Sequence, residues 1–466
     1  MSDANAKPMP KKDTLVDKMQ NVLAPIGAKL GSLKYLQAMQ GLMVSMPMTI
    51  AGAIINILAN PPMTADFVKG GIGSIFAPWY NFATANHDLL NIPYNMTMGM
   101  IGIFAVLGIS YKLGTIYKMK GISHCIVSLS MFLMIAAPQT TALMMEALPQ
   151  ALQAGDAVQA AQMATAVLPA SYLGAGGIFS AIVVAIISVE IIRFCQERNL
   201  VIKMPDSVPP MVSQSFSAVI PLVFNIIFFF GLNVGLQTFF GISLPQVIST
   251  VLSPIVSGVS NPIVMIGVMM LAMFLWTLGI HGMSIVSPIL MPIYMQAVLG
   301  NAELVQSGGA AVVSAVLLFT TPGIGGSGGT LGLCILGLRS KSKQIRTISR
   351  ISLVPGFCQI NEPIVFGMPI MYNPILMIPF LLTSLAMMIA MWICLCAGLV
   401  SPQINVVLAM LPMGVGALLS TGDFRNALFC WLMIPLQMLI YYPFFKVYER
   451  QLVAEETAAE AQTAEA

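Results

Sequence analysis

The chain has 466 residues, of which 57% are hydrophobic and only 8% are charged, and its mean hydropathy is +0.86. A soluble globular protein carries about 25% charged residues, so this composition excludes a soluble globular fold and predicts a polytopic membrane protein. The formal net charge of +3 is small, and the Lys and Arg residues cluster in loops rather than on one face, so we expect no nucleic-acid partner.

The N-terminal segment, residues 1–34, is polar and contains lysines. It lacks the apolar core and the cleavage site of a secretory signal. Residues 14–33 are weakly amphipathic, as expected for a helix that lies along the inner membrane face. We therefore expect this segment to be cytoplasmic.

Long apolar runs then predict an all-α polytopic membrane protein with about ten transmembrane helices, each near the length needed to cross hydrocarbon. The runs are 35–59, 95–115, 120–137, 173–194, 212–239, 261–280, 283–300, 346–360 (a short one), 374–398 and 424–446. Basic clusters lie between them, at 112–120, 193–203, 339–350 and 446–450, whereas residues 138–172 contain no Lys or Arg. The positive-inside rule places the basic clusters and both termini in the cytoplasm, and 138–172 outside.

Some segments depart from this pattern. Residues 241–260 are moderately apolar, with Ser and Pro, and predict an interfacial helix that links two halves. In 310–338 an apolar run meets the glycine-rich sequence GIGGSGGTLG, and in 361–373 Pro363 and Pro369 cannot both continue a regular helix. Both segments are predicted re-entrant hairpins, and paired broken segments of this kind indicate a transporter's substrate site.

The tail 449–466 is acidic and Ala-rich and is expected to be disordered.

Glu362 is the only charged residue between Ile351 and Gly422. An ionisable side chain inside a membrane usually faces a partner or a water-filled cavity. Two compatible interpretations follow: a carboxylate that caps the N-terminus of a half-helix, and a hydrogen-bonding group for a polar substrate. Asn361 places an amide beside it.

His281 lies between Gly279 and Gly282, and Trp276 precedes it in the same uncharged stretch. An indole can stack on the apolar face of a sugar ring while polar groups bind its hydroxyls. The alternatives are a histidine whose hydrogen bonds are satisfied in the protein core and a tryptophan packed against lipid.

The cysteines have no suitably spaced His, so they predict buried thiols and no metal site. The sequence GIGGSG follows no strand, so we expect no nucleotide or other cofactor.

Several sequences carry a family resemblance. They are YLGAGGIFSAIVVAIISVEIIRF at 172–194, IKMPDSVPPMVSQSFSAVIP at 202–221, WTLGIHG at 276–282, GGSGGTLGL at 325–333 and INEPIVFGMPIMYNPILMIPF at 360–380. Together they resemble the membrane component, enzyme IIC, of the bacterial phosphoenolpyruvate-dependent sugar phosphotransferase system. The resemblance is to its lactose/cellobiose/diacetylchitobiose branch and extends from residue 35 to about residue 445.

The resemblance implies a homodimeric permease in the bacterial cell membrane. Residues 35–240 would form the scaffold and dimer interface, and residues 261–448 would form a moving transport half that carries both hairpins.

It also implies roles for single residues. Glu362 and His281 would be the catalytic pair near the sugar hydroxyl that becomes phosphorylated, and Asn361, Trp276 and Gln359 would bind the substrate. Gln359 stands where the family commonly has Asn.

In this family the phosphoryl donor is a phosphocysteine on a separate soluble enzyme IIB, itself charged by enzyme IIA. The chain would then be the permease subunit, not catalytic without enzyme IIB, and its substrate a β-linked disaccharide of the cellobiose, diacetylchitobiose or lactose class. The alternative is a proton-coupled secondary sugar transporter in which Glu362 and His281 relay the proton.

Overall fold

The computed structural model describes residues 29, 32–61, 67–138, 169–205, 207–368, 370–371, 373–407 and 411–464. Within these residues every regular element is a helix. Most of the predicted N-terminal segment 1–34 and of the predicted outside loop 138–172 lies outside the described residues.

The first half packs around three helices. Its α-helices are α1 Lys34–Met39, α2 Met46–Ala59, α3 Ala77–Ala85, α4 His87–Thr97, α5 Ile101–Ile116, α6 Ser123–Ala136, α7 Ile178–Glu197, α8 Pro210–Ser217 and α9 Val219–Phe240. Helices α5, α6 and α7 contact one another and bury most of the core of this half. A 3₁₀-helix, Gln40–Ser45, approaches α5 so closely that a Cβ at Gly41 would lie 2.2 Å from the Gly108 carbonyl oxygen.

The second half contains shorter and more broken elements. Its α-helices are α10 Leu244–Val259, α11 Pro262–Thr277, α12 Gly282–Gln306, α13 Thr330–Gly337, α14 Lys343–Phe357, α15 Glu362–Gly367, α16 Pro374–Cys396, α17 Val415–Thr421 and α18 Phe424–Ala464. Local sequence sets several of the starts. The side chains of Asn261, Ser342 and Asn373 accept hydrogen bonds from the first-turn backbone of α11, α14 and α16, as N-caps do.

Seven helices of the described residues are long and apolar enough to cross a membrane, or eight if α10 and α11, bent by 81°, count as one span. The predicted all-α membrane class is confirmed, and the number of about ten spans remains a prediction. The predicted short span 346–360 lies within the range of α14 and its C-terminal turn. Helix α14 has only 15 residues and carries Lys343, Arg346 and Arg350, and it is not one of the seven.

Helix α10 coincides with the predicted linker 241–260. It begins with a capping box, in which Ser243 and Gln246 exchange hydrogen bonds between side chain and backbone. The helix is therefore present, whereas its position at the membrane interface remains a prediction.

The predicted disorder of the tail 449–466 is wrong for residues 449–464, which continue α18. The Ala, Glu and Gln residues of this segment have high helix propensity. Its carboxylates are also bound. Glu449 accepts hydrogen bonds from Ser340 Oγ at 2.7 Å and from the Lys341 N–H at 2.8 Å. Glu456 accepts from the backbone N–H of Lys343 at 3.0 Å, at the positive N-terminus of α14.

Candidate functional site

The glycine-rich sequence 323–332 forms a tight turn between two short helical pieces. The 3₁₀-helix Ala315–Gly323 leads into the turn and α13 leaves it. Four glycines have positive φ angles: Gly325 (74°), Gly326 (84°), Gly328 (77°) and Gly329 (65°). Only glycine adopts this backbone region without steric cost, so the composition of the run is explained by the turn that it makes.

Two buried side chains of α18 hold this turn. The Gln437 amide donates from Nε2 to the Ile324 carbonyl at 2.9 Å and accepts at Oε1 from the Gly332 N–H at 3.1 Å. The Tyr441 hydroxyl donates to the Gly328 carbonyl at 2.9 Å. Both side chains are fully buried, so the turn is fixed by protein groups alone.

A second break in the backbone meets this turn. Helix α14 ends at Phe357, and Gln359 has a positive φ of 66°. Asn361 then donates from Nδ2 to the Ser327 carbonyl in the glycine-rich turn at 2.9 Å. The amide of Gln359 donates to the Leu411 carbonyl at 3.1 Å. The two amides predicted to bind substrate therefore also hold the two broken segments in place.

Glu362 is the first residue of α15, which has six residues. Its side chain is exposed at this site, and within the described residues no donor binds it. The carboxylate is thus not used as a helix cap here. It remains available as a hydrogen-bond acceptor and as a negative charge.

His281 caps α12. Its Nδ1 accepts a hydrogen bond from the Ser284 N–H at 3.1 Å and lies 2.8 Å from the Ser284 hydroxyl. A ring nitrogen that accepts from a backbone N–H carries no proton, so in the neutral imidazole the proton lies on Nε2. The ring of Trp276 lies beside it, with centroids 4.4 Å apart.

One cavity brings all five predicted residues together. It has a volume of about 390 Å³ and is lined by Trp276, His281, Gln359, Asn361 and Glu362. This volume lies within the range of roughly 300–1,000 Å³ that small-molecule sites occupy. The apolar part of the wall comes largely from methionines and from aromatic residues of the second half, and Met43 contributes from the first half.

The structure adds polar residues that the sequence analysis missed. Thr320, Thr321, Gln403, Ser420 and Asn426 also line the cavity. They occur singly or in pairs within largely apolar segments, and no spacing or motif separates them from other Ser, Thr, Asn and Gln residues of the chain. Only the folded structure identifies them, for example by bringing Gln403 Nε2 within 3.1 Å of Thr320 Oγ1.

A larger cavity, of about 580 Å³, lies elsewhere, among residues that include Tyr117, Lys118, Lys120, Arg193 and Glu197. Its arginine is already paired, since Arg193 Nε lies 2.7 Å from Glu197 Oε1. None of the five predicted residues lines this cavity. We therefore take the smaller cavity, at which the broken backbone segments converge, as the functional site.

Comparison with known proteins identifies the family. The family model described as "Phosphotransferase system, EIIC" matches residues 39–384. The chain belongs to the phosphotransferase-system EIIC family. This EIIC chain is 31% identical to a lichenan permease IIC component of Bacillus subtilis, over 95% of each protein. It is 30% identical to a lactose-specific EIICB component of Streptococcus mutans, over 94% of this chain and 73% of that protein.

The fold of this EIIC chain is similar to that of a solved transporter. The structure is the crystal structure of ChbC, the IIC component of an N,N'-diacetylchitobiose-specific phosphotransferase system. The TM-score is 0.79 at 28% identity, and the match covers 94% of this chain and 99% of that chain. The resemblance read from the sequence motifs is therefore confirmed.

Proposed function

We propose that this EIIC chain moves a β-linked disaccharide of the cellobiose, diacetylchitobiose or lactose class across the bacterial membrane while a separate phospho-enzyme IIB phosphorylates it. The observation that carries the proposal is the 390 Å³ cavity, lined by an exposed carboxylate, an imidazole and an indole. The relatives whose names specify lichenan, lactose and diacetylchitobiose support this substrate class.

The site binds a sugar through complementary surfaces. The indole of Trp276 offers a flat apolar face for the C–H side of a pyranose ring. Glu362 accepts a hydrogen bond from a hydroxyl. Asn361 donates from Nδ2 to the Ser327 carbonyl, so its Oδ1 is left to accept a hydrogen bond from a sugar hydroxyl. Gln359 donates to the Leu411 carbonyl and can accept in the same way at Oε1.

The hydrogen bond at His281 Nδ1 separates the roles of the two titratable groups. With Nδ1 accepting from the Ser284 N–H, the neutral ring presents Nε2–H as a donor and has no free lone pair. Glu362 is therefore the proton acceptor, and His281 donates to the phosphoryl oxygens. The sugar oxygen forms the O–P bond, the S–P bond to the enzyme IIB cysteine breaks, the sulfur leaves as thiolate, and the hydroxyl proton moves to Glu362.

The proposed membrane arrangement has about ten spans. Residues 35–240 form the scaffold and dimer interface, and 261–448 form the transport half. Its re-entrant hairpins are 310–338 and 361–373, consistent with the two broken segments that meet through Asn361. Irregular backbone at membrane depth is tolerated where it lines a cavity.

The basic segment 339–350 faces the cytoplasm in this arrangement and receives enzyme IIB, which enzyme IIA charges. The tail of α18 supports a cytoplasmic C-terminus, because Glu449 and Glu456 bind residues at the start of the same basic segment. The matched relative named EIICB is consistent with an enzyme IIB partner.

The decisive experiment is uptake of labelled cellobiose, lactose and N,N'-diacetylchitobiose by cells that contain the chain, with and without its enzyme IIB, and chemical identification of the internal product. We expect phosphorylated disaccharide that depends on enzyme IIB. Accumulation of free sugar driven by a proton gradient would instead establish the proton-coupled transporter, an alternative that membership of the EIIC family does not favour.

A further inference from the structure

The tail of α18 binds the corner between α13 and α14, which comprises residues 338–344. Glu449 Oε1 accepts hydrogen bonds from Ser340 Oγ at 2.7 Å and from the Lys341 N–H at 2.8 Å, and Glu449 Oε2 lies 2.8 Å from Lys446 Nζ. Glu449 is 4% exposed and Ser340 is 1% exposed. A carboxylate buried to this extent is costly without its donors, so the corner and the tail stabilise each other.

Glu456 lies two turns further along the same face of α18 and caps the start of α14. Its Oε1 accepts from Ser342 Oγ at 2.7 Å and from the Gln344 N–H at 3.0 Å, and its Oε2 accepts from the Lys343 N–H at 3.0 Å. The first N–H groups of a helix have no partner within the helix and carry partial positive charge. The two carboxylates of the tail therefore fix the backbone of the corner.

The tail binds backbone and hydroxyl donors of the corner but leaves most of the basic side chains unpaired. Among the described residues, Lys343 is the one residue of the segment 339–350 whose side chain forms an ion pair, with Glu460 at 2.7 Å, and both side chains of that pair are mostly exposed. Arg346 donates to the Ser340 carbonyl from Nε at 3.0 Å and from Nη2 at 2.7 Å. The other basic residues of the segment are exposed and bind no carboxylate of the described chain: Arg339, Lys341 and Arg350.

This pattern of contacts favours a surface prepared for a partner over a surface that the tail shields. A shielding tail would pair its carboxylates with the Lys and Arg side chains of the segment, whereas Glu449 and Glu456 bind its backbone and its serines. A backbone that is fixed in advance lowers the ordering cost of association. Unpaired positive side chains attract an acidic surface.

We propose that Glu449 and Glu456 are positioning residues that pre-form a docking surface, the segment 339–350, for an acidic face of enzyme IIB. This inference rests on the proposed function and extends it from the partner to the way in which the chain presents a surface to that partner. Neither residue lines the sugar cavity. The tail is therefore required for enzyme IIB to dock, but not for sugar binding.

The test measures sugar phosphorylation by the full-length protein while the concentration of phosphorylated enzyme IIB is varied. The sugar is whichever of cellobiose, lactose and N,N'-diacetylchitobiose the wild type phosphorylates best. In Glu449→Gln and Glu456→Gln we expect the KM for phosphorylated enzyme IIB to rise about fivefold. The kcat and the calorimetric dissociation constant of the sugar should stay within about twofold of the wild-type values, because the sugar cavity is unchanged.

The sign of the change in KM separates positioning from charge. Removing a carboxylate next to a basic segment makes the surface more positive. Electrostatic attraction by itself, or a tail that shields the segment, therefore predicts a lower KM for an acidic partner. Loss of a prepared backbone predicts a higher KM, so a lower KM in Glu456→Gln would overturn the proposal.

Two matched controls lie on the same tail. Glu455 is exposed and binds no donor of the corner among the described residues, and Glu460 reaches the corner through its exposed pair with the Lys343 side chain. Exposed pairs of this kind contribute little. Glu455→Gln and Glu460→Gln should therefore leave the KM unchanged or lower it slightly. A rise equal to that of Glu456→Gln in either control would overturn the positioning role.

Hydrogen exchange measured by mass spectrometry gives a readout that needs neither sugar nor enzyme IIB. Amides of residues 338–346 should exchange faster in Glu449→Gln and Glu456→Gln than in the wild type, whereas Glu455→Gln should not differ from the wild type. Thermal midpoints identify a variant that has lost its fold as a whole. Because Glu449 is buried, Glu456→Gln decides the test if Glu449→Gln fails to fold.

The outcomes are distinct. Faster exchange with an unchanged KM would show that the tail stabilises the corner without serving enzyme IIB, and would refute the docking role while the proposed function stands. Unchanged exchange would refute the positioning role. If the wild type forms no phosphorylated sugar with phosphorylated enzyme IIB, the proposed function is refuted, and the docking surface with it.

Discussion

At the residue scale, the cavity combines groups that are held by the protein with groups that are not. His281 Nδ1 is fixed by the Ser284 N–H, and Asn361 Nδ2 is fixed by the Ser327 carbonyl. Glu362, in contrast, has no donor among the described residues and is exposed. A fixed donor in the same cavity as an unpaired carboxylate suits a reaction in which positioning and charge stabilisation supply most of the rate.

Replacing Glu362 with Gln should reduce sugar phosphorylation by at least about 100-fold, because the isostere cannot accept the hydroxyl proton. Sugar affinity and the oligomeric state should change little, since the shape and part of the hydrogen bonding remain. The measurement is phosphosugar formation with phosphorylated enzyme IIB, beside calorimetric binding. Glu460→Gln, which removes a carboxylate on the tail of α18, is the control, and near-normal phosphorylation by Glu362→Gln would disprove the proposed role.

Two substitutions distinguish the capping role of His281 Nδ1 from the proposed catalytic role of Nε2. In His281→Asn the side-chain oxygen replaces Nδ1 as the N-cap of α12, so thermal stability should hold while phosphorylation falls about 10- to 100-fold. His281→Ala should lose that activity and, in addition, about 1 kcal/mol of stability. Equal stability losses in the two variants would show that the ring does not act as the cap.

At the element scale, the site depends on short broken pieces that longer helices hold. The turn between the 3₁₀-helix Ala315–Gly323 and α13 has no regular structure of its own and is fixed by Gln437 and Tyr441 of α18. Asn361 joins it to the segment before α15. Broken segments supply backbone groups and side chains at one point, and packing against intact helices keeps them in position.

Gly328→Ala should destabilise the protein by about 2 kcal/mol or more. The residue has a φ of 77°, and an added Cβ would lie 2.2 Å from Phe380 Cδ2 in the buried interior. The measurement is thermal unfolding in detergent. In Gly267→Ala the added Cβ meets nothing within 4 Å on helix α11, so this control should be neutral or slightly stabilising, and an equal loss in both variants would contradict the argument.

The start of α18 carries an acid-sensitive contact. Partial burial acts to raise the pKa of Asp423, but hydrogen bonds from Arg425 and Ser401 outweigh it and hold the pKa below its ordinary value. A carboxyl group with a lowered folded-state pKa stabilises the fold above its unfolded-state pKa, and this contribution is lost as the pH falls through the folded-state pKa.

Asp423→Asn should therefore cost about 0.5 kcal/mol at neutral pH, as partly exposed ion pairs do. The difference from the wild type should shrink as the pH falls below the ordinary pKa of an aspartate, about 3.9, and disappear once the pH lies below the lowered folded-state pKa. Thermal midpoints measured between neutral and acid pH check this. A difference that stays constant across the range would show that the charge of Asp423 is not the cause.

At the scale of the whole molecule, the tail of α18 and the basic segment 339–350 belong to one side of the protein. Glu449 and Glu456 bind the residues that begin α14, so the two segments face the same compartment. The positive-inside rule predicts that this compartment is the cytoplasm.

Cysteine labelling tests this orientation. Thr347 is exposed on α14 and Ala170 is exposed before α7, within the predicted outside segment. In a background where the exposed Cys396 is replaced by Ser, an impermeant maleimide should label Ala170→Cys in intact cells. It should label Thr347→Cys only after permeabilisation. Labelling of Thr347→Cys in intact cells would reverse the predicted orientation.

The sequence by itself determined the all-α membrane class, the EIIC family and the five residues that meet in the cavity. These follow from properties that need no fold: uncharged runs long enough to span hydrocarbon, a lone carboxylate whose desolvation is costly, and glycines and prolines that prevent one continuous helix through 323–332 and 361–373. Each of these features differs from the composition of the residues around it, so it can be recognised in a short stretch of sequence.

Only the tertiary structure decided the rest. Thr321 and Gln403 lie far apart in the chain, and only the fold brings them to one cavity wall. The tail is helical because Glu449 and Glu456 find donors more than a hundred residues earlier in the chain. Burial and hydrogen bonding between distant segments depend on packing, and packing is a property of the folded chain that local composition does not contain.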